Sequence, residues 1–235
     1  MEFEASKLED SYQLLLKVAE NIRLPLLQIL LNTQLSLASK EGDLKQVEDL
    51  AKFSIRMIDN FILSSVTANN HPILEPLSLS SVLYDSAHEL EQLAKYYDVK
   101  LKVISNNNFG PVLSNRVALE SSLISVGWAM IESMSSLDKS KTITLASHRS
   151  RYGLVAGVYS EDVNINSNIL NQGLRNMNSS KRPMPDFSHT NSAGIFIAKQ
   201  LLSNMDMRLL ASKHHNLRGI GTLMNPSKQL QLIEV

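Results

Sequence analysis

The chain carries six histidines, His71, His88, His148, His189, His214 and His215, and no cysteine. None of the histidines stands at a metal-ligand spacing such as His-Glu-x-x-His, and the lack of thiols excludes disulfides, thiolate zinc sites and cysteine nucleophiles. No nucleophile triad is legible. His214-His215, just before Gly219, reads as a solvated turn, and Lys181-Arg182 as a solvated pair. Reactive side chains gather instead in Ala19-Glu20-Asn21-Ile22-Arg23-Leu24-Pro25-Leu26-Leu27-Gln28, where a carboxylate and a guanidinium flank an asparagine ahead of a proline. A proline inside a helix removes one donor and crowds the carbonyl four residues back, at roughly 3 kcal/mol. A kink is expected there.

Lys+Arg and Asp+Glu each total 23, so the formal net charge is zero. No whole-chain field then draws the protein to nucleic acid or to an anionic membrane, and a protein partner is expected. No apolar run approaches the ~20 residues that span a bilayer. The start Met1-Glu2-Phe3-Glu4 is acidic, unlike the basic opening of a signal peptide, so a soluble, cytoplasmic protein is expected. At 235 residues the core needs no disulfide, and two unequal units are the expectation.

The elements that position these residues follow from periodicity. Leu8, Tyr12, Leu15, Ala19, Ile22, Leu26, Ile29 and Thr33 recur at steps of four and three, predicting one helix to about Ser39. Lys40-Glu41-Gly42-Asp43 supplies a turn, with Gly42 suited to a left-handed cap and Asp43 to capping the next helix. Val47, Leu50, Ser54, Met57 and Phe61 continue the pattern to about Val66, before Thr67-Ala68-Asn69-Asn70-His71-Pro72 breaks it. Two amphipathic helices joined tightly leave apolar faces uncovered, so pairing with a second copy into a four-helix bundle is expected. Its seam would contain Leu15, Ala19, Ile22, Leu26, Ile29, Leu50, Met57 and Phe61.

Beyond Pro72 the pattern changes to mixed helix and strand. Helices are predicted after an N-cap at Ser80 through Tyr97, over about 116–134 and over 193–205. Strands are predicted over 100–104, 142–147, 154–159, 207–212 and 219–224, and the polar stretch 161–191 reads as mostly irregular, lid-like chain with a helical turn or two over Ile169 to Met177. The fold class is thus α+β. A helical hairpin over residues 1–70 precedes a two-layer α/β sandwich over 77–235.

The proline segment resembles the phosphoacceptor box of sensor histidine kinases, Ser-His-Glu-Leu-Arg-Thr-Pro-Leu. In register on Arg23, Pro25 and Leu26, the family's histidine falls on Glu20, its neighbouring glutamate on Asn21 and its threonine on Leu24. The run Ser54 to Ser64 resembles the second helix of that dimerisation domain. The segment Ala193-Gly194-Ile195-Phe196-Ile197-Ala198-Lys199 and the tail Gly219-Ile220-Gly221-Thr222-Leu223 resemble boxes of the family's ATP-binding domain, the fold shared with gyrase, Hsp90 and MutL. The resemblance implies that fold for residues 77–235.

ATP chemistry in this family needs a magnesium-holding asparagine on the long helix, a carboxylate that reads adenine, and glycines that let backbone approach the phosphates. The asparagine-bearing box falls on Ser125 to Met130, with the metal ligand replaced by Ala129. The Asp-x-Gly-x-Gly box falls on Ser160-Glu161-Asp162-Val163-Asn164 and has lost both glycines, while the second glycine box keeps only Gly194. Residues 1–70 contain no histidine, and a Glu20 carboxylate cannot form the phosphoramidate that makes phosphotransfer favourable.

The expectation is therefore a catalytically inactive pseudo-histidine-kinase without cofactor or metal. It is read as a homodimeric protein-binding regulator or scaffold in two-component-type signalling. The resemblance implies docking of a response-regulator receiver domain, a partner kinase or another signalling protein on Glu20, Asn21, Arg23, Leu24 and Gln28. A phosphotransferase-like relay protein with a degenerate ATPase domain is the alternative. A divergent ATPase, binding nucleotide through Asp162 and Gly194, is another.

Overall fold

The computed structural model describes residues 22, 25–29, 31–35, 44–69, 72–105, 109–134, 141–162, 165–176 and 192–227. Helix α1 is seen at 22, 25–29 and 31–35, with Pro25 buried inside it. Leu15, Ala19, Glu20, Asn21, Arg23, Leu24 and Asn164 lie outside the described residues, as does most of the predicted lid. The elements that follow are α2 (Leu44–Asn69), β1 (Glu75–Leu77), α3 (Leu79–Tyr96), β2 (Val99–Ile104), β3 (Val112–Ser114) and α4 (Arg116–Ser133). Then come β4 (Lys141–Ser150), β5 (Gly153–Ser160), α5 (Ser167–Asn176), α6 (Ser192–Ser203), β6 (Leu209–His214) and β7 (Leu217–Met224).

A five-stranded sheet runs in the order β2-β4-β5-β7-β6, with β2 parallel to β4 and every other pair antiparallel. The β4–β5 hairpin turns at Gly153, whose φ of 148° suits glycine, and whose missing Cβ would lie 2.5 Å from the Met224 carbonyl oxygen. Alternate residues Leu154, Ala156 and Val158 of β5, with Ile220 and Met224 of β7, belong to the hydrophobic core shared with α3, α4 and α6. That core is the α+β two-layer arrangement expected from the sequence.

Tyr159, fully buried, lies over Gly157 and Gly221, where a Cβ would come 2.8 and 3.2 Å from its hydroxyl oxygen. The hydroxyl donates to Ser212 Oγ at 3.4 Å, and the ring sits 5.6 Å from His214, itself 5.3 Å from His148. Burial lowers the pKa of both histidines. His214 is therefore not the solvated residue its sequence context suggests. It ends β6 at 5% exposure, while exposed His215 makes the turn at φ 52°.

Two further differences have local causes. The cap of α3 is Ser78 rather than Ser80: Ser78 has extended backbone and its carbonyl accepts the first helical bond, from Val82 N at 3.3 Å. Helix α2 continues three residues past Val66 to Asn69, because Asn204 Nδ2 donates to Ser64 O at 3.0 Å and to Thr67 Oγ1 at 2.8 Å and holds the last turn in place. The short antiparallel pair β1–β3 went unpredicted, since three residues are too few to show an alternating pattern.

Helix α2 packs on α3, α4 and α6. Its inner face carries Met57 and Asn60, each 4% exposed, and fully buried Ser64; the Phe53 ring packs at a 48° tilt against Trp128, centroids 5.2 Å apart. Heptad spacing had set Met57 and Phe61 in a seam for a second copy. Both instead join their own chain's core, Met57 within it and Phe61 half-buried against it. The outward face of α2 shows Ile55, Ile58 and Ile62 at 58%, 37% and 51% exposure. Met57→Asp is expected to lose about 3 kcal/mol of unfolding free energy in urea by burying an unpaired charge. Met57→Leu, which keeps the volume, should lose under about 1.5 kcal/mol, and equal stability of the two variants would show that Met57 is not packed as described.

Candidate functional site

Helix α4 is the element on which the candidate site stands. Asn115 caps it, its side-chain oxygen accepting from Ala118 N at 3.0 Å. From Ala118 to Glu132 every residue except Glu120 is buried, because the helix is apolar around nearly its whole circumference and neighbours cover it on all sides. Small residues permit the close approach. A methyl group on Gly127 would overlap Leu90 of α3, and one on Gly194 of α6 would overlap the Ser125 carbonyl oxygen and come 3.1 Å from Trp128 Cε3.

The residues matched to a nucleotide site fall into two groups. Ser125 (0% exposed), Ala129 (1%) and Gly194 meet in the packing of α4 and α6, and Ser125 Oγ accepts a hydrogen bond from Asn60 Nδ2 of α2 at 3.3 Å. Ser160 and Asp162 close the end of β5, the buried Ser160 Oγ accepting from Asp162 N at 3.2 Å, with the Asp162 side chain exposed. Of the proposed docking residues only Gln28 is described. It is half-buried and hydrogen-bonds the Tyr97 hydroxyl. Of the seam residues on α1, Ile22 and Ile29 are half-buried and Leu26 is exposed.

Sequence reasoning missed Glu132. It lies seven residues after Ser125 on the same helix, is 6% exposed, and its Oε2 has no hydrogen-bond partner. Burial pushes its carboxyl up to about 7. Tyr97 is pushed up to about 12, first by burial and then by the Glu132 charge, with the Gln28 hydrogen bond acting the other way. Its place within the run Leu123–Ile131, apolar but for Ser125, was the available signal. Gln28, Tyr97 and Glu132 thus bring α1, the end of α3 and the end of α4 into one polar cluster. Among the described residues no group of three or more His, Asp or Glu side chains could hold a metal, and no helix is long and apolar enough to cross a membrane.

No protein-family model and no curated protein matches the chain. Among solved structures, the histidine kinase AdeS of Acinetobacter baumannii is similar with a TM-score of 0.53 at 12% identity, covering 88% of this chain and 97% of that one. The catalytic domain of histidine kinase ThkA, in a nucleotide-free form, covers 65% of this chain and 96% of that one at 11% identity. Its TM-score of 0.47 is too loose to carry weight. The likeness to AdeS is one of fold: the five-stranded sheet and its helical layer have the histidine-kinase ATPase-like arrangement.

The Glu132 carboxyl has a clear linkage. Its folded pKa lies above the ordinary 4.5, so its contribution is fully present below pH 4.5 and is lost as pH rises through about 7. A rise of that size corresponds to roughly 3 kcal/mol. Glu132→Gln should therefore be more stable than wild type at pH 8, by up to roughly that amount, and the advantage should fade toward pH 4.5. Urea titrations of both proteins at the two pH values check it, and a pH-independent difference would show that the carboxyl ionises normally.

Proposed function

We propose that the chain is a catalytically inactive, histidine-kinase-like module that works as a dimeric protein-binding regulator or scaffold in two-component-type signalling. The observation that carries this reading is the packing at Ala129. An alanine stands where the resemblance puts the metal-holding asparagine, and it is 1% exposed. Beside it, Ser125 is taken by Asn60, and Gly194 lies against the Ser125 carbonyl, so the glycine's open space is filled by this chain's own backbone. Alanine offers no ligand atom for magnesium, and at Gly194 the α4–α6 contact leaves no room even for a methyl group. These residues do not fit a magnesium nucleotide.

What remains is surface. Leu27, Leu31 and Leu35 of α1 repeat at steps of four with 47%, 60% and 59% exposure, and Ile55, Ile58 and Ile62 recur at steps of three and four on α2. Two such stripes on adjoining helices support pairing with a second copy. A receiver domain or partner kinase would then dock around Glu20, Asn21, Arg23, Leu24 and Gln28, where the resemblance sets the docking face.

Calorimetric titration of the folded protein with Mg-ATP and Mg-ADP is expected to give no binding heat. Micromolar binding would overturn the inactive reading and favour a divergent ATPase. The dimer is tested by sedimentation of the double variant Ile58→Asp/Ile62→Asp, expected to run as a monomer with unchanged far-UV circular dichroism. A dimer that survives the double substitution would remove the α2 stripe from the interface.

A further inference from the structure

Helix α1 has two faces. Leu27, Leu31 and Leu35 are exposed on one, while on the other Pro25 is buried and Ile22, Gln28, Ile29 and Asn32 are half-buried. Ile22 packs against the core, and Asn32 Nδ2 is enclosed without a hydrogen-bond partner. This second face is turned toward its own chain. A polar contact holds it there: Gln28 hydrogen-bonds the hydroxyl of Tyr97, the residue that caps the end of α3. The Glu132 charge acts on the same hydroxyl from the last turn of α4.

Glu132 is 6% exposed and its Oε2 has no partner. A carboxylate enclosed without a counter-charge is far costlier than the neutral acid. Among the described residues none supplies that counter-charge. Burial alone raises the carboxyl, so no charged side chain described on α2, α6, β4 or β5 acts on it. Helix α1 contributes the neutral amides Gln28 and Asn32, and α3 contributes Tyr97, with Tyr96 edge-on to it at 4.9 Å. Lys95, in the last turn of α3, is exposed and bonded to Glu91 at 2.8 Å. The packing as it stands therefore holds Glu132 with its proton.

We propose that Gln28, Tyr97 and Glu132 form a proton-operated clasp that seats α1 on the α/β layer, closed while the Glu132 carboxyl keeps its proton and open once that proton passes to solvent. Ionisation draws water to the end of α4, loosens Tyr97 and frees Gln28. Closed, the clasp covers one end of the face on which a signalling partner would dock; open, it uncovers that end. Only this effect on docking rests on the proposed function. The clasp itself needs no partner, so a failed docking assay and a failed clasp are separate results.

Closing takes up a proton, because burial pushes the carboxyl up to about 7 from an ordinary 4.5. Closure is thus fully favoured below pH 4.5 and is lost as pH rises through about 7. Between pH 6 and pH 8 it should weaken about tenfold. The test is hydrogen exchange of the full chain at both pH values, corrected for intrinsic rates and read in peptides covering residues 22–35 and 153–160. The α1 peptide is expected to exchange faster than the β5 peptide, and its protection to fall about tenfold from pH 6 to pH 8. Glu132→Gln should abolish that fall, and Tyr97→Phe, which keeps the ring, should lower α1 protection about fivefold at pH 6. Equal α1 protection at the two pH values, a fall retained in Glu132→Gln, exchange of α1 only together with β5, or unchanged protection in Tyr97→Phe would each overturn the proposal.

Discussion

A helix buried around nearly its whole circumference must satisfy several neighbours at once, and that constraint on α4 governs the rest of the structure. The sheet lies beneath it, α3 and α6 flank it, and α2 crosses above. No polar stripe is available to face water, so its residues are chosen for size. Gly127 lets Leu90 in, Ser122 returns its hydroxyl to the Ala118 carbonyl at 2.7 Å, and Ser125 is taken by Asn60. Interiors this close-packed transmit volume changes to every neighbour. Ala129, 1% exposed, lies within that packing.

That closeness separates two roles that one fold can host. Here one of the positions matched to a nucleotide site, Ser125 of α4, is engaged by Asn60 of α2. Asn60 and Asn204 serve as polar latches beyond Met57, buried Asn60 donating to Ser125 of α4 and half-buried Asn204 donating to Ser64 and Thr67 of α2. Unpaired, each amide would cost more than its bond contributes, so the latches specify position more than they add stability. The hairpin's second helix is thereby fixed in direction, with its isoleucines turned outward.

Much of this was legible in the sequence, and for identifiable reasons. Helix α4, the β4–β5 hairpin and the last hairpin were read nearly to their ends, because long periodic runs and Gly153 leave few alternatives. The facing of α2 was not. Steps of four and three identify an apolar stripe, yet α2 has two, one through Met57 and one through Ile58, and periodicity is silent on which is covered from within. Glu132 escaped for the opposite reason: a glutamate is ordinarily a surface residue, and its burial follows only once α4 is known to be enclosed. The positions matched to Ser125, Ala129 and Gly194 do converge, whereas the meaning of their convergence depends on α2, which the motif did not include.

The contacts of α2 also set an order for synthesis. Its platform is built from α3, α4 and α6, and Asn204, which anchors its last turn, is encoded 140 residues after Ser64. A chain made from the N-terminus therefore completes α2 long before it completes the surface that α2 settles on. For that interval both stripes of the helix face solvent. Asn204, just after α6, arrives late and ties the last turn of α2 to the finished core through Ser64 and Thr67.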